Sequence, residues 1–186
     1  VGLVNALYKV GDLFLATVDR SGFYTLFSEE HIRERKYRDH RWALFDHRNG
    51  RIFSSEKPDS VFEVPQFSYD ILTLFYFLRS QRLAPGDSLF LYTFLHKKRY
   101  DVLFTAVKKE VVKLDIGVFP CVVIETRVSD EGKKLPRKEK FEMWLSDDKF
   151  QILVQVRMKI KFGSLIGELV HYEHPLRTEL PDKKQK

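Results

Sequence analysis

Cysteine, glycine-rich loops and long apolar runs are all scarce in this chain. One cysteine, Cys121, among 186 residues excludes an internal disulfide framework and a cysteine-rich zinc site. Apolar runs reach about eight residues, where a membrane-spanning helix needs ~20. No glycine loop of the phosphate-cradling kind occurs. Gly163-Ser164-Leu165-Ile166-Gly167 sets its second glycine at the wrong offset for a nucleophile elbow. No secretory leader is legible at Val1, and the expectation is that one has been lost or is not included. Disorder is excluded as the main state by 44% hydrophobic and 14% aromatic residues.

What the chain has is period-two alternation, the mark of antiparallel sheet. From Gln151 to Phe162, Ile152, Val154, Val156, Met158, Ile160 and Phe162 fall on one face, and Gln155, Arg157, Lys159 and Lys161 on the other. Phe141–Leu145 alternates before the polar turn Ser146-Asp147-Asp148-Lys149, and Ser164–Tyr172 reads as a further strand. Strands are expected at Leu13–Val18, Phe23–Phe27, Arg38–Asp46, Arg51–Ser55 and Val61–Val64. Asn49-Gly50 marks the hairpin between the third and fourth of these. Ser88–His96, Tyr100–Val107, Val111–Leu114 and Cys121–Val128 bring the total to about ten or eleven.

One segment breaks the pattern. Ser68 is placed to cap a helix over Tyr69–Gln81, stopped by Leu83-Ala84-Pro85-Gly86-Asp87. Ile71, Leu72, Leu74, Phe75, Tyr76, Phe77 and Leu78 cover most of its circumference, which predicts burial on more than one side. A second short helix is expected at Gly2–Tyr8. In Ser88–His96, Leu89, Leu91 and Leu95 share one face and Phe90, Tyr92 and Phe94 the other, so something must cover both. The expected fold is mainly β: a curved antiparallel sheet, an open barrel of about ten strands, wrapped around one hydrophobic helix. It forms a single β-rich domain over residues 1–174, with a polar tail over 175–186.

The search for chemistry returns no catalytic residue. Cys121 follows Pro120 and opens Val122-Val123-Ile124, the setting of a buried, inert thiol. Glu29-Glu30 diverge if they lie in a strand, and Asp147-Asp148 fall in a turn. His171 and His174 are three apart, so in a strand they face opposite sides of the sheet. We therefore assign no metal and no cofactor, and read the chain as a non-enzyme. Net charge is +6, and His31–Arg51 holds seven Lys/Arg against three acids. Acids interrupt the basic stretch Arg33–Trp42, and Tyr37 and Trp42 are an odd number of residues apart, so nucleic acid is not the expected partner.

Several segments, taken in order, resemble an uncharacterised bacterial family, domain of unknown function 3108. They are Tyr8-Lys9-Val10-Gly11-Asp12; Arg33-Glu34-Arg35-Lys36-Tyr37-Arg38 running into Phe45-Asp46-His47; and Tyr69 to Arg79 with Pro85-Gly86-Asp87. Trp144-Leu145-Ser146-Asp147-Asp148 and Lys159 to Ser164 leading to Glu168-Leu169 complete the set. The resemblance implies an exported, periplasmic protein with a β-rich fold similar to the open barrels of lipoprotein carriers, which hold acyl chains under a helical lid. It carries over no catalytic or ligand-binding residue. The family usually opens with a further strand pair upstream of the position matched by Val1.

The resulting expectation is a periplasmic protein that binds a hydrophobic or lipid-like molecule. Leu72, Phe75, Phe90 and Phe94 are the apolar candidates, and Arg33, Arg35 and Arg41 the contacts to an anionic headgroup. The alternative is a scaffolding module that pairs with a partner protein through an exposed strand edge.

Overall fold

The computed structural model describes residues 11–131, 133–134, 141–160 and 163–173. The fold is mainly β, with eleven strands and one helix among the described residues. The strands are β1 (Leu13–Val18), β2 (Thr25–Glu34), β3 (Tyr37–Asp46), β4 (Arg51–Ser54), β5 (Val61–Glu63), β6 (Ser88–Leu95), β7 (Lys98–Leu114), β8 (Gly117–Asp130), β9 (Phe141–Ser146), β10 (Leu153–Ile160) and β11 (Gly163–Glu168). The helix α1 (Ile71–Ser80) separates β5 from β6. Two open antiparallel sheets result, one in the order β1-β2-β3-β4-β5 and the other β11-β10-β9-β8-β7-β6. The expected single sheet is thus divided where the chain leaves β5 to form the helix. The expected helix at Gly2–Tyr8 and the tail over 175–186 lie outside the described residues.

The chain clusters into two compact units. The first is drawn from Val1–Gln81, Phe90–Val102 and Val128–Leu135, the second from Arg82–Leu89, Leu103–Arg127 and Pro136–Lys186. In the first, Ala43, Phe45, Ile52, Val64 and Phe94 form the core, with Phe62 against it. Phe45 and Phe62 meet the Phe94 ring at centroid distances of 6.4 and 5.0 Å. Each such side chain contributes about 1.5–3 kcal/mol on burial. In the second unit Val112, Cys121, Val123, Trp144 and Val154 pack together, with Leu114 and Phe119 at the margin.

The helix starts two residues later than the capping pattern predicts. Asp70, not Ser68, is the cap: its side chain accepts from the amides of Leu72 and Thr73. The Ser68 hydroxyl instead donates to the Pro65 carbonyl. Burial is also narrower than predicted. Thr73, Leu74 and Leu78 form one buried stripe, while Ile71 and Tyr76 are exposed. Arg79 lies over the Phe75 and Tyr76 rings, shielding part of the outward apolar surface. Just before the helix, Tyr69 bridges to Thr93 in parallel sense. Its amide donates to the Tyr92 carbonyl and its carbonyl accepts from Phe94, so this stretch of β6 finds a backbone partner.

Several strand expectations change. The strand expected at Phe23–Phe27 runs from Thr25 to Glu34, and the one expected at Cys121–Val128 runs from Gly117 to Asp130. Tyr100–Val107 and Val111–Leu114 are parts of one strand, because β7 runs unbroken through Lys108-Lys109-Glu110. The strand expected at Ser164–Tyr172 is Gly163–Glu168 and ends before Leu169. The hairpin at Asn49-Gly50 is as expected. Gly50 adopts φ +62°, and the Asp46 carboxylate accepts from the Asn49 amide and side chain.

Candidate functional site

The register of the five-stranded sheet sorts its residues by face. Glu30 pairs with Arg41, Ser28 with Ala43, and Phe45 with Ile52, on the side where Ala43, Phe45 and Ile52 are buried. The opposite face carries rows that run from strand to strand. Leu13, His31 and His40 form one row, and Leu15, Glu29 and Trp42 the next. Thr17, Phe27, Leu44, Phe53 and Val61 form a third across all five strands, bounded by Asp46, Arg51 and Glu63. Leu13, Leu15, Leu44 and Val61 are 45–52% exposed, and Trp42 and Phe53 are also exposed. Glu29, His31 and His40 interrupt these rows, but so many exposed apolar side chains on one face are still a mark of an interaction site.

At the hairpin end of the same face, Arg33 stands directly opposite Arg38. Like charges opposed across a ladder are destabilising unless an anion lies between them. The Arg38 guanidinium donates to the Arg35 and Tyr37 carbonyls, at 2.8 and 2.7 Å. Among the described residues no carboxylate pairs with the guanidinium of Arg33 or Arg38, although Asp12 Oδ1 accepts from the Arg33 backbone amide at 2.7 Å. Arg35 has φ +49° and, with Lys36, forms the two-residue turn between the strands. Both are exposed.

The inner face has a different character. Arg41 is engaged by acids: its Nε lies 2.7 Å from Asp39 Oδ2, with Glu30 and Glu56 oxygens each at 3.8 Å. His96 Nδ1 is 2.8 Å from Arg41, and Lys97 is 3.7 Å from Glu56. The hydrogen bonds from Arg41 and Tyr37 hold the Asp39 carboxyl below its ordinary value. Burial pushes the Glu30 carboxyl up, against the opposing pull of His96 and Arg41. A recess of about 30 Å³, room for a single water, is bounded by Glu30, Arg41, Glu56, Phe94 and His96. A wider recess of about 500 Å³ is lined by Phe62, Phe94, Lys97, Arg99, Asp130 and Glu131 among others. Charged groups dominate the wider recess, whereas an acyl chain needs apolar walls. The smaller one is also lined by Phe14, Leu15, Trp42, Ile71 and Leu95 but has no room for such a chain.

The residues singled out from the sequence are therefore dispersed. Phe94 is a core residue at 5% exposure and borders both recesses. Leu72 and Phe75 are half-buried on α1, and Phe90 is exposed at the start of β6, its ring edge-on to Tyr92; none of the three borders these recesses. Arg33 lies on the exposed face, Arg35 in the turn, and Arg41 on the inner face, so the three arginines do not form one cluster. The exposed face itself was not singled out. Its signal is present, since Leu13, Leu15, Leu44 and Phe53 all take positions that a one-sided sheet would give to polar residues.

Residues 1–170 match the family model described as a protein of unknown function, DUF3108. No curated protein and no solved structure matches the chain. The chain belongs to the DUF3108 family.

Proposed function

We propose that this DUF3108 protein is a non-enzymatic binding protein for an anionic amphiphile, which it meets on the exposed face of the β1–β5 sheet. One observation carries the reading: a single face places the opposed pair Arg33 and Arg38 beside the exposed rows Leu13, Leu15, Trp42, Leu44, Phe53 and Val61. The arginine end suits a phosphate or carboxylate headgroup, and the apolar rows suit acyl methylenes, each worth about 0.8 kcal/mol when buried. An arginine near an anionic lipid surface adds about 1 kcal/mol, attenuated by salt. The site is the surface of the sheet and not an internal cavity. A location outside the cytoplasm, where such amphiphiles are carried between membranes, fits this reading and belongs to the proposal.

Flotation with phosphatidylglycerol and phosphatidylcholine vesicles, in EDTA, tests it. Binding should be selective for phosphatidylglycerol, weaken as salt rises, and fall in Arg33→Glu/Arg38→Glu and in Leu15→Glu. Absence of binding to either vesicle would overturn the proposal.

A second reading is favoured by β1 alone. It is an edge strand by sheet order, and Leu13, Phe14 and Leu15 are exposed on both of its faces. Such an edge suits a partner strand. That reading predicts a stable protein complex that survives Arg33→Glu/Arg38→Glu and is lost when a proline replaces Phe14.

A further inference from the structure

The hairpin that carries the basic tip also assembles a set of metal-binding donors that no sequence motif announces. His31 and His40 are directly opposed across β2 and β3, and Glu29 lies two residues before His31 on the same face. The two imidazoles are stacked, with centroids 4.5 Å apart and planes within 12°. Both turn Nε2 toward one carboxylate oxygen: Glu29 Oε1 is 2.9 Å from His40 Nε2 and 3.9 Å from His31 Nε2. The three donor atoms all lie within 4.8 Å of one another.

We propose that Glu29, His31 and His40 form a binding site for a divalent zinc-type cation. Ligand bonds of 2.0–2.2 Å in tetrahedral geometry put donor atoms roughly 3.3 Å apart. The 2.9 and 3.9 Å separations bracket that figure, and the third lies within 4.8 Å. The nearly parallel rings must turn about their side-chain bonds so that both Nε2 lone pairs point at one ion, with no change in backbone register. Two neutral imidazoles and one carboxylate match the donor preference of zinc and its late first-row neighbours, and disfavour magnesium and calcium, which select oxygen. Three protein ligands on a half-exposed face leave the fourth position open to water or to an incoming anion. Arg33 and Arg38 occupy the next row on that face. They disfavour a bare cation but favour one whose open position holds an anion. The site stands independently of the amphiphile proposal, since its ligands are complete without a lipid.

The test is calorimetric titration of the EDTA-stripped, desalted chain with zinc chloride, in the absence of lipid. One saturable zinc per chain is expected, with affinity weakened tenfold or more in each of His31→Ala, His40→Ala and Glu29→Gln. Binding should be unchanged in His171→Ala, and magnesium should give no heat. X-ray absorption on the zinc-loaded chain should find two imidazoles and oxygen donors, a readout that does not depend on how the variants fold. Absence of saturable binding, equal binding in His40→Ala, or a zinc shell with fewer than two imidazoles would each overturn the assignment. Because the vesicle assay is run in EDTA, loss of zinc binding and loss of lipid binding are separate outcomes.

Discussion

Thr25 and Asp70, 45 residues apart in sequence, hold one another by reciprocal hydrogen bonds: the Thr25 hydroxyl donates to Asp70 Oδ2 at 2.7 Å and accepts from the Asp70 amide at 2.9 Å. The same carboxylate caps α1 and accepts from the Thr73 hydroxyl. One buried side chain thus ties the start of β2 to the start of the helix.

Asp70→Ala removes the cap and leaves the buried Thr25 and Thr73 hydroxyls without their acceptor. A loss of about 2–4 kcal/mol is expected, read from the midpoint of urea unfolding. Thr25→Ser keeps the hydroxyl and should cost much less. Equal losses in the two variants would contradict this account.

Glu30 gives a stability effect with a defined sign. Its carboxyl takes up a proton more readily in the fold than at the ordinary value of 4.5, because burial outweighs His96 and Arg41. Its favourable contribution is therefore complete below the unfolded value and is lost as pH rises through the raised folded value. Glu30→Gln should be at least as stable as the parent at pH 7, with the gap closing toward pH 4. Unfolding curves across that range are the measurement.

Cys121 is 1% exposed, and burial first, then the negative charges of Asp148, Glu110 and Asp147, push its thiol up to about 12. The thiol hydrogen is directed at the Phe119 carbonyl, 3.3 Å away. Alkylation of the native chain at pH 8.5 should proceed only as fast as the chain opens, whereas the urea-unfolded chain reacts at once. Rapid native labelling would show that the second core is not closed.

Gly50 sits at φ +62°, and a Cβ there would lie 3.0 Å from the Val64 carbonyl oxygen. That carbonyl belongs to the residue whose amide donates to Gly50 itself, at 2.9 Å. Gly50→Ala should therefore cost about 1 kcal/mol or more and should be felt at the β5 end of the sheet. Amide exchange at Val64 reports it.

Much of this fold is legible in the residues themselves. The alternation in Leu153–Ile160, the Asn49-Gly50 hairpin and the helix after Pro65 all follow from local chemistry. The odd spacing of Tyr37 and Trp42 places them on opposite faces, as the register shows, and Glu29 and Glu30 diverge in the same way. β7 was harder, because Lys108, Lys109 and Glu110 interrupt its apolar pattern while the ladder continues through them. The cap expected at Ser68 falls at Asp70 because the buried bonds to Thr25, which no local pattern shows, hold Asp70 at the start of the helix.

The functional face was hidden for a related reason. Leu13, Trp42, Phe53 and Val61 come from four strands, and only register makes them neighbours. His31 and His40 fit no metal spacing until the two-residue turn at Arg35-Lys36 folds one onto the other. Pairing across a turn carries information that spacing along a chain does not.

Trp42 fluorescence tests the central claim most directly. Of the two tryptophans, Trp42 is exposed on the proposed binding face and Trp144 is buried at 2% exposure. Adding phosphatidylglycerol vesicles should move the emission to shorter wavelength and protect it from acrylamide, and Trp42→Phe should abolish both changes. An unchanged spectrum, or the same shift in Trp42→Phe, would contradict amphiphile binding at this face.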